Sequence, residues 1–212
     1  MIKVVVFDFD GTLFDTRADI TDAVNFARRQ FGLSEHSIEA VTGMVGYGVE
    51  VLAERAFQDS DVSTAEALPV VLEYYRAHPG DKAVPYPGVR ETLPKIEAIR
   101  TIVSNKPEQL IRTILQAHSL ETLFRYVAGG DTFSVRKPDP FPIRFIQAEF
   151  NTTTDEILIV GDHVPDLEMA RRTGAHSVFC RYGFGHLSAD GAQFEIDRFS
   201  QILDVLEQLG SS

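Results

Sequence analysis

The stretch Val4-Val5-Val6-Phe7-Asp8-Phe9-Asp10-Gly11-Thr12 runs an apolar, β-branched segment directly into two carboxylates, a glycine and a hydroxyl. Four apolar residues in a row, without alternation, read as a strand buried on both faces. Three later segments repeat the pattern. Ile99 to Val103 leads into Ser104-Asn105-Lys106, Ile157-Leu158-Ile159-Val160 into Gly161-Asp162, and Ser177-Val178-Phe179-Cys180 into Arg181-Tyr182-Gly183. Helical spacing fills the intervals. Pro107 precedes Leu110, Ile111, Ile114 and Leu115; Pro140 and Pro142 introduce Ile143, Ile146 and Phe150; Asp166 to Thr173 stops at Gly174. Ile202, Leu203, Leu206 and Leu209 form a closing amphipathic helix, with Gly210 read as lying past its end. Prolines fall in first turns and glycines after last ones, as helix termini require. Strands alternating with helices predict an α/β fold: a doubly wound parallel sheet with helices on both faces.

Residues 16–84 break the alternation. Ile20, Val24 and Ala27 predict one helix, Val49, Leu52, Ala53 and Phe57 a second, and Leu68, Val71, Leu72 and Tyr75 a third that stops at Pro79-Gly80. No strand-like run is present there, so a helical insert is expected, with linkers near Asp15-Arg17 and Lys82-Gly88. Phe26, Phe31, Phe57 and Phe150 lie at helical spacing and are core candidates. Arg55 is read as a structural or exposed residue of the insert.

The chain has 212 residues, 44% of them hydrophobic, enough for a full core without metal or disulfide staples. Its net charge of −11 disfavours a nucleic-acid partner, because most of the surface repels phosphate backbones. No apolar run approaches the roughly 18 residues of a membrane helix. One cysteine, Cys180, read as buried packing, leaves no internal disulfide framework and fits a reducing, cytoplasmic setting. His118, His176 and His186 have no metal-ligand spacing.

Ligands of such a sheet sit beyond the carboxyl ends of its strands. That rule gathers Asp8, Asp10 and Thr12, then Ser104 and Asn105, then Lys137, and finally Asp162 and Asp166. Clustered carboxylates repel unless a cation neutralises them, and an all-oxygen set favours a hard ion such as Mg2+. A lysine and small hydroxyl donors suit a phosphate group facing that ion. A carboxylate can attack phosphorus, and a second one two residues further on can move the proton.

Asp8-Phe9-Asp10-Gly11-Thr12, Ser104-Asn105-Lys106, Lys137-Pro138 and Gly161-Asp162-His163-Val164-Pro165-Asp166 resemble, in order, the four motifs of the haloacid dehalogenase superfamily. The resemblance spans nearly the whole chain. It implies a Rossmann-like core from residues 1–15 and 85–212, with a small helical cap at 16–84. It also implies Asp8 as nucleophile, Asp10 as general acid and base, and Ser104 and Lys137 as phosphate binders. Asp8, Asp10 through its backbone carbonyl and Asp162 would hold Mg2+, with Asp166 either a further ligand or a support behind the ligands, and Thr12 and Asn105 would face the substrate. The second aspartate, Asp10, favours phosphoryl chemistry over carbon–halogen cleavage.

Met44-Val45-Gly46-Tyr47-Gly48, Leu52 to Phe57 and Tyr182-Gly183-Phe184-Gly185 look like phosphoglycolate phosphatases. Gly46 and Gly48 then form a substrate-facing cap loop, and the partner is a small phosphorylated metabolite such as 2-phosphoglycolate. A phosphomutase or pyrophosphatase on the same core, or a non-catalytic phospho-ligand binder, is the alternative; the chain is read as monomer or dimer. Two features depart from the family pattern. The stretch from Leu93 to Ser104 is short and lacks a glycine turn, and His163 stands where a small hydroxyl residue is usual, either as a functional ring or as a bystander.

Overall fold

The computed structural model describes residues 1–185 and 191–210; His186 lies outside them. Six strands form one parallel sheet in the order β5-β4-β1-β6-β7-β8. They are β1 (Val4–Phe7), β4 (Ile99–Val103), β5 (Tyr126–Ala128), β6 (Ile157–Gly161), β7 (His176–Cys180) and β8 (Phe194–Ile196). β1 lies at the centre, where Phe7 pairs with Ile102 on one side and Val160 on the other. Its four side chains are fully buried because both faces are covered. On one face Phe7, Leu93, Ile102, Ile111, Phe199 and Ile202 pack together. On the other, Val4, Val6, Ile143, Ile146, Ile159 and Met169 do so. The sheet is thus doubly wound and Rossmann-like, as the alternation predicts.

The strands' helices are α5 (Val89–Thr92), α6 (Glu108–Ala117), α7 (Phe141–Phe150), α8 (Val164–Thr173) and α9 (Ile202–Gly210). Gly174 ends α8 in a left-handed cap, whereas Gly210 belongs to α9 instead of following it. The short stretch before Ser104 needs no glycine. A single 3-10 turn, Leu93–Lys95, feeds β4, and Arg100 donates to the carbonyls of Leu93, Ile96 and Leu123. Cys180 is buried, and no described helix is long and apolar enough to cross a membrane.

Between β1 and β4 the chain first forms a two-residue ribbon, β2 (Phe14–Asp15) antiparallel to β3 (Val84–Pro85). The ribbon ties together the two strands of chain that lead to and from the insert. Four helices lie between them: α1 (Arg17–Gln30), α2 (Ile38–Thr42), α3 (Val49–Ala56) and α4 (Thr64–Ala77). They enclose their own apolar cluster, including Ile20, Val24, Leu52, Phe57 and Val71, which extends to Leu110 and Phe184 below. Phe57 is fully buried, while Phe26, Phe31 and Phe150 are only partly so.

Arg28 pins this helical layer. Only 2% exposed, it forks onto Asp59 at 2.8 Å through both terminal nitrogens. It also donates to the carbonyls of Ser34 and Ala56 and lies over the Phe57 ring. Arg28→Met strands those carbonyls, and an unsatisfied buried group costs about 1–3 kcal/mol. The variant should lose roughly 2–4 kcal/mol of stability in urea unfolding. A loss under about 1 kcal/mol would remove Arg28 from this role.

Candidate active site

Three adjacent strands, β4, β1 and β6, end at one edge and bring Ser104, Asp8 and Asp162 side by side. Asp8 N donates to Val160 O at 2.8 Å, so the first residue past β1 is still held in register. α8 supplies Asp166 from its first turn, where Asp166 Oδ2 also accepts the His163 N–H at 3.1 Å as a helix cap. The segment after β5 carries Lys137, followed by a cis Lys137–Pro138 bond.

Lys137 Nζ lies 2.7 Å from Asp8 Oδ1 and 2.7 Å from Asp166 Oδ1. Oxygens of Asp8, Asp162 and Asp166 all lie within 4.8 Å of one another. Asp162 is fully buried and tightly held: Oδ1 accepts from Thr12 Oγ1 at 2.9 Å, and Oδ2 from Phe184 N at 2.7 Å. Thr12, expected to face substrate, spends its hydroxyl behind Asp162 instead.

Burial pushes the Asp8 carboxyl up to about 7; Lys137 opposes this, and Asp166 and Asp162 add to it. Burial works against the Lys137 charge, but Asp166 and Asp8 outweigh it and hold the ammonium well above its usual range. Burial likewise opposes a charged His163, yet Asp162, 3.0 Å from Nδ1, and the other carboxylates raise it to about 9.

Asp10 is set apart from this group. Its Oδ1 accepts from Thr16 Oγ1 at 2.6 Å, and Lys106 Nζ lies 3.0 and 3.3 Å from its two oxygens. Lys106 also donates to the Tyr75 hydroxyl and stands 4.5 Å above that ring's centroid. Burial again opposes the charge, and Asp10 and Tyr75 reverse the effect.

A cavity opens over Asp8, Asp10, Ser104 and Lys106, walled by Val45, Val49 and Leu52 from the helical layer. The loop before α3 closes on it tightly. Gly46 and Gly48 have φ of +115° and +93°, conformations that favour glycine. A Cβ on Gly46 would stand 2.9 Å from His163 Cδ2, so His163 is a neighbour of the loop and not a solvent-facing bystander.

Asn105 clasps the two layers: Nδ2 donates to Gly46 O at 3.0 Å and Lys137 O at 3.1 Å, and Oδ1 accepts from Lys137 N at 3.0 Å. Its amide serves protein backbone, not the cavity. Arg136 and Glu50 form a two-pronged ion pair alongside. Arg55 donates to Met44 O at 3.2 Å and lies over Tyr47, holding the same loop from its own side.

Sequence reasoning assigned no part to Lys106, Thr16, Tyr75, Arg136 or Glu50. Tyr75 is visible in the apolar periodicity of α4, but only as core. Lys106 immediately follows Ser104-Asn105, yet nothing local tells an inward lysine from a solvated one.

These features agree with comparison to known proteins. Residues 5–180 match the family of haloacid dehalogenase-like hydrolases. Phosphoglycolate phosphatase of Aliivibrio fischeri is 32% identical, with 97% of this chain and 96% of that protein covered. Phosphoglycolate phosphatase of Aquifex aeolicus is 31% identical, with 97% of each covered. The crystal structure of a predicted phosphoglycolate phosphatase from Haemophilus somnus 129PT superposes with a TM-score of 0.92 at 27% identity, covering 97% of this chain and 98% of that one. The chain belongs to the haloacid dehalogenase-like hydrolases, and it is a phosphatase of that family.

The Asn105 clasp generates a test. Asn105→Ala unfastens Gly46 from the core and leaves the Lys137 backbone unpaired. Small misplacements of reacting groups cost on the order of a hundredfold, so phosphatase kcat should fall roughly that far. A variant that melts like the parent and turns over within about twofold would show the clasp to be dispensable.

Proposed function

We propose that the chain hydrolyses a short phosphate monoester bearing a carboxylate, with 2-phosphoglycolate the leading substrate, through a phosphoryl group held on Asp8. The observation that carries this reading is the seating of Asp8. It lies at the floor of the cavity, with the Lys137 ammonium 2.7 Å from its Oδ1. Of the three clustered carboxylates Asp8 is the one that lines the cavity, so a ligand entering there meets it directly. The small cavity and its apolar walls fit a short leaving group, and the relatives named above are phosphoglycolate phosphatases.

In the first step Asp8 attacks phosphorus, the bond from phosphorus to the ester oxygen breaks, and Asp10 protonates that oxygen as it leaves. In the second, Asp10 takes a proton from water, whose oxygen attacks phosphorus and releases phosphate from Asp8. Ser104 and Lys137 hold the phosphoryl oxygens, Lys137 from between Asp8 and Asp166. Thr16 and Lys106 keep Asp10 in reach of the ester oxygen, and the 16–84 cap excludes bulk water during the attack.

Three buried carboxylates outnumber the two cationic groups beside them, Lys137 and the His163 ring, and an all-oxygen donor set fits a hard divalent ion. Asp8, Asp162 and Asp166 would hold Mg2+. When bound, that ion favours the carboxylate form of Asp8 and offsets its repulsion from the phosphoryl oxygens. A single thiol, buried, and a small metabolite substrate fit a cytoplasmic enzyme.

Phosphate release from 2-phosphoglycolate should be fast, should stop on chelation and should return with added Mg2+, beside sugar phosphates, nucleotides and pyrophosphate as rivals. A sugar-led profile overturns the substrate, and isomerised sugar phosphate marks a mutase. Asp8→Asn should lower turnover by about a thousandfold or more. Near-parental activity in that variant removes Asp8 as nucleophile.

A further inference from the structure

Lys106 is the only cation among the described residues lining the cavity. Lys106 is only 5% exposed, so its charge is held away from bulk water at a desolvation cost. Two protein groups offset that cost, Asp10 from the strand edge and the Tyr75 hydroxyl from α4. Lys106 Nζ reaches both Asp10 oxygens, at 3.0 and 3.3 Å, and the Tyr75 hydroxyl; one N–H shared between the two oxygens of that single carboxylate leaves a third for a ligand. Tyr75 apart, the side chains that the helical layer brings to the wall, Ile20, Val45, Val49 and Leu52, offer hydrocarbon only.

We infer that Lys106 Nζ, completed by the Tyr75 hydroxyl, receives the carboxylate of the leaving group and is the specificity-determining residue of this phosphatase. The inference rests on the function proposed above and names its substrate subsite. The spacing supports it. Lys106 Nζ lies 3.0 and 3.3 Å from the oxygens of Asp10, the group assigned to protonate the ester oxygen. In a phosphorylated 2-hydroxy acid one carbon separates the ester oxygen from the carboxyl carbon. Ordinary bond lengths then put the nearer carboxylate oxygen roughly 3 Å from the ester oxygen. One such substrate engages Asp10 and Lys106 together. An acid with its carboxylate further along the chain would push that charge against Val45, Val49 or Leu52.

The subsite spans both layers, since Lys106 follows β4 and Tyr75 belongs to α4. A leaving group without a carboxylate would leave the ammonium facing an apolar methyl group. Loss of a hydrogen bond to a charged group is commonly a factor of roughly 10–150.

The test compares kcat/KM for 2-phosphoglycolate with that for ethyl phosphate, its counterpart with methyl in place of carboxylate. The intact enzyme with Mg2+ is used. The parent should prefer 2-phosphoglycolate by roughly thirtyfold or more. In Lys106→Met that preference should fall to within about threefold of unity, mostly through KM. Any loss shared by both esters, acting through Asp10, cancels in the ratio.

If Lys106→Met slows both esters equally and keeps the preference, Lys106 serves only Asp10 and the inference is overturned. Tyr75→Phe removes a single oxygen and carries the test if Lys106→Met does not fold; it should reduce the preference severalfold, and an unchanged ratio overturns the subsite. A parent that hydrolyses both esters without preference overturns the subsite while leaving a phosphatase acting through Asp8. A parent that cleaves neither, nor any other monoester, takes down the proposed function as well.

Discussion

Asp8, Asp162 and Asp166 are all less than a tenth exposed and lie within 4.8 Å of one another, with one ammonium, that of Lys137, among them. Much of the surrounding structure answers the cost of that concentrated negative charge. Thr12 and the Phe184 N–H satisfy Asp162, the first turn of α8 receives Asp166, and Lys137 bridges Asp166 to Asp8. The same crowding fixes residue types that carry no charge. A Cβ on Gly11, Gly161 or Gly183 would run into the Asp162 or Asp166 carboxyl group, and at Gly11 a φ of +85° is a second reason for glycine. The last residues of β6 and the turn after β7 are therefore shaped by the carboxylates they enclose.

The two aspartates separated by Phe9 meet opposite surroundings. Asp8 faces two other carboxylates, and burial with that repulsion lifts its pKa to about 7. Asp10 faces a hydroxyl and an ammonium, both donating to it. Each has its own lysine, Lys137 for Asp8 and Lys106 for Asp10, reached across 129 residues in one pair and 96 in the other. Different environments for neighbouring carboxylates are how one site sustains two roles. Phe9 between them is wholly buried and stacks on Phe14, anchoring the chain between the two carboxylates.

The sequence was legible where burial is two-sided. β1 and β6 read as unbroken apolar runs because both faces of a parallel sheet are covered, and β4 and β7 keep enough of that character in Ile102-Val103 and Val178-Phe179-Cys180 to be found despite Arg100-Thr101 and His176-Ser177. β5 and β8 form the two edges, have three residues each and, in Phe194-Glu195-Ile196, include an exposed glutamate; nothing so short stands out from a loop. The β2–β3 ribbon, two residues per strand with a proline in one, and the five-residue α2 escaped for the same reason. In the site, residues just past a strand end were easy to nominate because position alone brings them to one edge. What each side chain does there was not. Thr12 and Asn105 both sit at that edge, yet one turns to Asp162 and the other to the backbone of Gly46 and Lys137. Lys106, Arg136 and Glu50 depend on partners 31 to 96 residues away, beyond any local period.

Those long-range partners share a design. The helical layer is fastened to the sheet edge at the chemistry itself, not at a remote hinge. Thr16, immediately before α1, bonds Asp10; Tyr75, on α4, bonds the lysine that bonds Asp10; Gly46, before α3, is held by the amide that also holds Lys137. Each fastening is polar and short, whereas the apolar cluster of the four helices is largely their own. An interface built this way can part at modest cost, since a few hydrogen bonds exchange for water. It can close in only one register, because three separate residues must each find a buried partner. Displacement of the helical layer would thus be felt first at Asp10 and Lys137, the two groups on which proton transfer and phosphoryl binding depend, and least in the sheet that carries Asp8.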